Sequence, residues 1–67
     1  MKNEKIEREI SDLEIFIRLK QDDIDRLIAR YGDGVRPAWV GEDIGMDMGN
    51  IQYARSQIEK LKAEMAQ

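Results

Sequence analysis

The chain has 67 residues, a net charge of −3 and no cysteine or histidine. These totals limit it to one domain and exclude disulfides and the usual zinc sites. The acidic balance, with a pI of about 4.8, argues against duplex nucleic acid as a partner, because such binding depends on cations that neutralise phosphates. A chain this short buries only about 60% of its unfolded surface, so we expect it to pair with copies of itself.

The first predicted element is a helix over residues 4–31. Its apolar positions alternate spacings of four and three, which is the heptad pattern of a helix that packs along one seam. The eight seam positions are Ile6, Ile10, Leu13, Ile17, Lys20, Ile24, Leu27 and Tyr31. Phe16, Leu19 and Ile28 widen this stripe, as is typical of a helix with neighbours on two sides. Asn3 is the predicted N-cap, and Gly32 is the predicted C′ residue with positive φ.

A loop over residues 32–41 and a second helix over residues 42–66 follow. The start of this helix is open between Pro37 at N1 and Gly41 at the N-cap. Its predicted apolar stripe contains Ile44, Met48, Ile51, Ala54, Ile58, Leu61 and Met65. The short connection predicts antiparallel neighbours, so the expected fold is all-α: one domain, residues 1–67, forming a helical hairpin.

A single hairpin leaves one side of each apolar stripe open, so we predict a homo-oligomeric helical bundle. The expected oligomer interface consists of Ile10, Leu13, Ile17, Lys20, Ile24, Leu27, Ile51, Ile58 and Leu61.

Lys20 is the polar exception in the seam of the first helix. A polar seam residue fixes the register or the oligomer state in some coiled coils. Lysine can also cover apolar surface with its stem and keep its ammonium group in water. A third interpretation places Lys20 at a central cavity that holds an anion. The pattern leaves all three open.

Gly41, Gly45 and Gly49 are spaced by four residues and therefore share one face of the second helix. Small residues at this spacing allow another backbone to approach closely. They also leave room for a ligand, or offer backbone N–H groups to an anion at a helix start.

Catalysis and cofactor binding are not expected. The chain has no histidine, cysteine or threonine, and Ser11 and Ser56 lie at helical positions without a histidine base. The acidic clusters at residues 22–25 and at Glu42, Asp43 and Asp47 have the oxygen ligands of a hard cation. We interpret them instead as solvated, charged faces.

The loop contains more aromatic and arginine residues than a plain connection between two helices requires. In one interpretation it is structural: Val35, Trp39 and Val40 cover the end of the hairpin core, and Arg36 caps helix carbonyls or pairs with Asp33. In the other it binds a ligand, because planar cations and planar aromatics bind phosphates and stack on bases. The same residue types form hot spots for protein partners. The ligand-binding residues would be Arg30, Tyr31, Arg36, Pro37 and Trp39.

The stretch YGDGVRPAWV, residues 31–40, resembles a YGxGVRPxWV loop of short bacteriophage proteins. In size, helical character and expected self-assembly the chain is also similar to phage sponge proteins, which sequester the cyclic nucleotide signals of bacterial defence. This second likeness is one of fold and context only, and no sponge motif is matched residue by residue.

Together these patterns predict a non-enzymatic protein without a cofactor. It would sequester a small anionic, nucleotide-like molecule in the cytoplasm of a bacterial host. The alternative function is that of a coiled-coil adaptor or inhibitor that binds another protein through the same loop. We expect no membrane partner, because the longest apolar runs, such as Ile15–Ile17, are far shorter than the roughly 20 residues of a bilayer span.

Overall fold

The computed structural model describes residues 2–32 and 34–67, and for Lys2 the backbone only. The described chain consists of helix α1, Lys2–Tyr31, and helix α2, Ala38–Ala66. The helices pack against each other over their length, so that the molecule measures 50 × 14 × 13 Å. The predicted helical hairpin is confirmed, whereas its assembly into an oligomer stays a prediction. Neither described helix is long and apolar enough to cross a membrane.

The start of α1 differs from the prediction, and α2 begins near the earlier of the two starts that the sequence left open. Asn3, the expected N-cap, lies inside the first turn of α1. Helix α2 starts at Ala38 and not at residue 42, so Gly41 is helical and Pro37 precedes the helix as its N-cap. The earlier start has a physical reason: it brings Val40 into the core, where its side chain is fully buried, and burial of apolar surface outweighs the cost of a helical glycine.

The end of α1 is as predicted. Gly32 has a φ of +70°, and its N–H donates to the carbonyl of Ile28 at 2.7 Å. This is the left-handed C′ residue that closes a helix. The chain then turns and enters α2, where the N–H of Val40 donates to the carbonyl of Pro37 at 3.0 Å.

The best-buried part of the core lies next to the bend. Ile24, Val40, Ile44 and Ile51 form it, and Ile17, Leu27 and Tyr31 pack against it. Further from the bend the seam continues through buried Ile6, Ala54 and Ile58. The residues predicted for an oligomer interface thus lie between the two helices of one chain: Ile24, Ile51 and Ile58 are buried, and Ile10, Leu13, Ile17, Lys20, Leu27 and Leu61 are half-buried.

One position of the predicted α2 stripe is wrong. Met48 is 51% exposed, while Asp47 is buried in its place with 6% exposure. The buried residues of α2 are Val40, Ile44, Asp47, Ile51, Ala54 and Ile58. Their spacing alternates between four and three from Val40 onward, as in the seam of α1. A stripe that begins at Val40 therefore contains Asp47 and excludes Met48.

Candidate functional site

The structure brings the predicted loop residues together at one end of the hairpin, where they form the bend cluster: Arg30, Tyr31, Arg36 and Trp39. The guanidinium carbon of Arg30 lies 5.7 Å from the centre of the Tyr31 ring. The Tyr31 and Trp39 rings meet edge to face, with centroids 5.5 Å apart and planes at 83°. Both contacts have favourable geometry for aromatic groups. A cation and two aromatic rings thus form one continuous surface.

Helix geometry explains how these side chains meet. Arg30 and Tyr31 belong to the last turn of α1, and Trp39 belongs to the first turn of α2. Tyr31 is half-buried and packs against the core, and the Trp39 ring contacts it edge to face. Trp39 remains 47% exposed. The indole is therefore held in place and still accessible.

Arg36 holds the turn. Its Nη1 donates to the carbonyl of Gly32 at 2.9 Å, and its side chain is partly buried. Gly32 follows the last residue of α1, so this bond closes the turn just beyond the helix. It agrees with a structural role for Arg36, although the acceptor is not one of the predicted helix carbonyls. The proposed pairing with Asp33 falls outside the described residues.

The capping role predicted for the apolar loop residues is correct for one of them only. Val40 is fully buried, whereas Val35 is fully exposed and Trp39 is half exposed. Val35 lies between two residues of the turn that have no helical or strand conformation, and nothing packs it onto the core. Pro37, predicted as a ligand residue, is exposed and acts as the N-cap of α2.

A second polar feature lies inside the hairpin, about midway along its length, and we call it the buried polar cluster: Lys20, Asp23 and Asp47. The ammonium group of Lys20 lies 3.9 Å from Oδ1 of Asp47 and 5.4 Å from the centre of the Phe16 ring. The other carboxylate oxygen of Asp47, Oδ2, is buried and has no hydrogen-bond partner among the described residues. Lys20 therefore joins the two helices of one chain, as a register-fixing residue would.

The surroundings raise the pKa of Asp47 above its ordinary value of 3.8. Burial is the largest cause, and the neighbouring carboxyl of Asp23 raises the pKa further as a hydrogen-bond partner and as a like charge. The charge of Asp43 also raises it, whereas the charge of Lys20 lowers it. Two ionised carboxylates are both acceptors, so Asp23 and Asp47 bond only when one of them carries a proton. The cluster thus makes Asp47 easier to protonate than an exposed aspartate.

Whether the acidic residues could hold a metal ion depends on how they are grouped in the described chain. Within residues 2–32 and 34–67, no group of three or more acidic, cysteine or histidine residues is arranged to hold a metal ion. Asp22, Asp25, Glu42 and Asp43 are exposed, as expected for solvated faces. Asp47 is the residue that the sequence interpretation missed. Two features of the sequence indicate a buried Asp47. Lys20 is a charged residue in the seam of α1, and the four–three spacing of the α2 seam includes residue 47.

The three spaced glycines of α2 face open space. Gly41, Gly45 and Gly49 are all exposed, and a Cβ atom added at any of them would meet nothing within 4 Å. Close packing therefore does not occur inside the chain at these positions.

The best-formed grooves of the described chain run along the helices. The largest of the three has a volume of about 540 Å³. It is lined by Ile17, Arg18, Arg55, Ile58 and five further charged or amide residues between Glu14 and Lys62. The two others lie between Glu9 and Leu61 and between Gln21 and Arg55. None of these three grooves contains a residue of the bend cluster.

Comparisons with protein-family models, with curated proteins and with solved structures find no match for this chain.

Proposed function

We propose that the protein is a non-enzymatic, self-assembling helical hairpin that acts as an adaptor or inhibitor and binds another protein through its bend cluster. The observation that carries this proposal is the contact of Arg30, Tyr31 and Trp39, with the indole held against Tyr31 and 47% exposed. Arginine, tyrosine and tryptophan dominate the binding energy of protein interfaces when they are held in place beforehand.

The shape of the surface favours a protein partner over a small molecule. Small ligands bind in concave sites that cover most of their surface, whereas the three grooves described above contain no residue of the bend cluster and Trp39 is 47% exposed. One hydrogen-bond donor of the cluster already has an acceptor within the chain, because Nη1 of Arg36 donates to the carbonyl of Gly32. A protein partner needs only an accessible patch with a fixed aromatic anchor, and Trp39 supplies that anchor.

Self-assembly belongs to the same proposal. Apolar side chains stay exposed along both helices, among them Ile15, Leu19, Met46 and Tyr53, each at least half exposed. A chain with few fully buried side chains gains stability when such surface is covered. Assembly also multiplies the bend clusters in one particle, which increases the apparent affinity for a partner with several sites.

The test uses tagged chain expressed in bacteria, affinity capture, and quantitative mass spectrometry of the captured proteins. We expect the wild-type chain to retain at least one protein near one-to-one stoichiometry. Trp39→Ala should lose that protein, because truncation of a hot-spot residue costs at least about 2 kcal/mol of binding energy. Tyr53→Ala is the matched control, since Tyr53 is an exposed aromatic residue outside the cluster. If both variants capture the same proteins as the wild type, the bend cluster is not the binding surface.

A second candidate function is sequestration of a nucleotide-like anion, in the manner of a phage counter-defence sponge in the bacterial cytoplasm. The observation that favours it is the guanidinium of Arg30, placed over an aromatic ring beside an exposed indole, because planar cations and aromatic faces bind phosphates and bases. In an assembly, a neighbouring copy would supply the second wall of the site.

Thermal denaturation with a panel of cyclic di- and trinucleotides and cyclic ADP-ribose variants tests this candidate. A real ligand at 100 times its Kd should add about 2.7 kcal/mol of stability. Trp39→Ala should abolish that gain and Tyr53→Ala should preserve it. The absence of a shift with every compound at millimolar concentration would reject sequestration and leave the adaptor proposal standing.

A further inference from the structure

The largest groove of the described hairpin has charges of alternating sign along both of its edges, and we call it the charged groove. Six charged residues line it, and in order from the open end of the hairpin toward the bend they are Glu14, Arg18 and Asp22 on α1 and Lys62, Glu59 and Arg55 on α2. Because the helices are antiparallel, the signs run negative, positive, negative on the α1 edge and positive, negative, positive on the α2 edge. Each charge thus has an opposite charge at the corresponding place on the other edge.

The two edges of the charged groove do not pair with each other inside the described chain. All six side chains are exposed, and among residues 2–32 and 34–67 none of the six forms an ion pair. The groove, with a volume of about 540 Å³, lies between the edges and separates them. The complementary charges are therefore available to a second molecule.

The floor of the charged groove is apolar. It contains Ile17, which is half-buried, and Ile58, which is 8% exposed. Toward the bend, the same side of the hairpin exposes Met48, which lines a second groove with Gln21. It also exposes Ile28, which lies two helical turns after Gln21 and shares its face. An apolar floor between two rows of charge is the pattern of a helix interface in a bundle.

We propose that the charged groove binds the charged groove of a second copy of this chain, with the twofold axis parallel to the helices. In this arrangement α1 of each copy lies along α2 of the other, at the same level as along its own α2. The opposed pairs are Glu14 with Lys62, Arg18 with Glu59, and Asp22 with Arg55. A twofold interface repeats every contact, so the dimer contains each pair twice.

The resulting dimer is a four-helix bundle in which all neighbouring helices are antiparallel. Both bends lie at the same end, so two bend clusters are presented together to a partner with several sites. The inference rests on the self-assembly part of the proposed function, and it names the surface and the arrangement.

The other charged residues on this side of the hairpin do not oppose the arrangement. Three of them lie near the open end: Glu4, Glu7 and Arg8. Residues 65–67, at the facing end of α2, are uncharged. Asp25 lies nearer the bend than the groove and comes opposite Gln52, which is also uncharged. No pair of like charges arises.

The order of the charges also decides between the two possible orientations. With the twofold axis perpendicular to the helices, α1 would lie along α1 of the other copy in the opposite direction. Arg18, in the middle of its edge, would then meet Arg18, and Glu14 would meet Asp22. On the other edge, Lys62 would meet Arg55. Like charges across an interface suppress an arrangement, so the charges favour the parallel axis.

The area of the contact matches that of a stable dimer. A side of the hairpin 50 Å long and 14 Å wide offers about 700 Å² to a second copy, close to the roughly 800 Å² per partner of a standard interface. We therefore expect the dimer to form at micromolar concentration.

Reciprocal charge reversals at Arg18 and Glu59 test the pairing by sedimentation equilibrium. Arg18→Glu alone sets two glutamates against each other at two places in the dimer, and Glu59→Arg alone does the same with two arginines. Each variant should dimerise about tenfold more weakly than the wild type, because two surface pairs change from attraction to repulsion.

Mixing the two variants separates a contact between copies from a contact within one chain. In an equimolar mixture, the reversed residue of each variant meets a complementary residue of the other, so a mixed dimer should form with about wild-type strength. A pair confined to one chain would not be restored by mixing. Glu14→Lys and Lys62→Glu form a second set for the same experiment if a reversal at the first pair unfolds the hairpin.

Arg26→Glu is the matched control, because it makes the same charge change as Arg18→Glu at an exposed position of α1 that does not line the groove. Its dimerisation should stay within about twofold of the wild type. Circular dichroism of each variant at low concentration checks that the hairpin is intact, which we expect because the reversed positions are exposed.

Orientation is tested by oxidative cross-linking, since the described chain has no cysteine of its own. Glu14→Cys and Lys62→Cys should form a disulfide with each other when they are mixed. Arg18→Cys alone should not cross-link, because the parallel axis places the two α1 helices diagonally in the bundle. Efficient self-linking of Arg18→Cys would indicate the perpendicular axis and overturn the proposal.

The outcomes separate this inference from the function on which it rests. If the wild type dimerises but the reversals have no more effect than Arg26→Glu, or mixing does not restore the dimer, the charged groove is not the interface and self-assembly stands. If the wild type remains a single folded copy at high micromolar concentration, both are wrong.

Discussion

The inner and outer faces of α1 use the same residue types with opposite results. Ile24 is 3% exposed in the seam, whereas Ile15 and Leu19 on the outer face are 50% and 61% exposed. Composition does not distinguish them, because isoleucine and leucine are equally apolar. Spacing does, since only residues that repeat every three and four positions from Ile6 meet α2. The comparison teaches that the inner face determines the hairpin and leaves the outer face available for interaction.

The largest expected effect tests the inner face. Ile24→Ala removes a buried side chain from the best-packed part of the core, and such truncations cost about 2–5 kcal/mol. A domain of this size has little more stability than that, so we expect the variant to be largely unfolded at 25 °C in urea titrations followed by circular dichroism.

Leu19→Ala is the control for the outer face. Measured at a concentration where the wild type is a single copy, it should change the free energy of unfolding by no more than about 0.5 kcal/mol, as is usual for exposed positions. Equal losses from the two variants would show that the faces are not distinct.

A smaller effect on stability is expected from Asp47, the polar residue in the seam of α2. The raised pKa of Asp47 means that the folded chain binds this proton more tightly than the unfolded chain. The stabilisation from the proton is therefore complete below about pH 3.8 and is lost as the pH rises through the raised pKa. Asp47→Asn keeps the shape, removes the buried charge and supplies an N–H donor for Asp23. We expect a gain of about 1 kcal/mol at pH 7, in the range of single substitutions, and no gain near pH 3.

Urea titrations at pH 3, 5 and 7 measure this effect, with Asp12→Asn as a control at an exposed position that does not act on Asp47. Asn at residue 47 loses the attraction of Lys20, whose ammonium lies 3.9 Å from Oδ1. A loss of stability at pH 7 would therefore show that this ion pair outweighs burial and the repulsion by Asp23.

The seam was predictable from sequence to the extent that apolar residues mark it. For α1 the heptad pattern gave the correct face, including Tyr31, and Gly32 marked the correct end because only glycine adopts a φ of +70° without strain. For α2 the same pattern failed at Asp47, because an aspartate between Ile44 and Ile51 was assigned to a solvated face and the neighbouring Met48 to the stripe. A lysine in the opposite seam is the physical reason why a buried aspartate is tolerated there.

The bend was predictable in composition and not in geometry. The sequence indicated that arginines and aromatic residues would meet, as Arg30, Tyr31 and Trp39 do. It did not indicate which arginine would be engaged, because the acceptor of Arg36 is the backbone carbonyl of Gly32, and a carbonyl is present at every residue. The sequence left the start of α2 open because Gly41 is a weak helix former, and the structure has the early start at Ala38, since the burial of Val40 outweighs that preference.

The smallest expected effect concerns the outer face of α2. Gly45 is helical and exposed, and an added Cβ would meet nothing within 4 Å, so Gly45→Ala should stabilise the isolated hairpin by about 0.5–1 kcal/mol through the lower entropy of the unfolded chain. Gly32→Ala is the counterpart and should destabilise the hairpin by about 1–2 kcal/mol, because its φ of +70° strains an alanine although the space is equally open.

Thermal denaturation of both variants at low concentration gives the free energies, and the sign of the Gly45→Ala effect is decisive. A gain in stability means that the three spaced glycines are not required by the fold, since nothing in the chain approaches them. If Gly45→Ala then binds less of the partner captured by the wild type, the glycine face contacts that partner, because a methyl group blocks close approach of another backbone. A loss of stability in the isolated chain would instead show that Gly45 packs against a neighbour, and the outer face of α2 would no longer count as open.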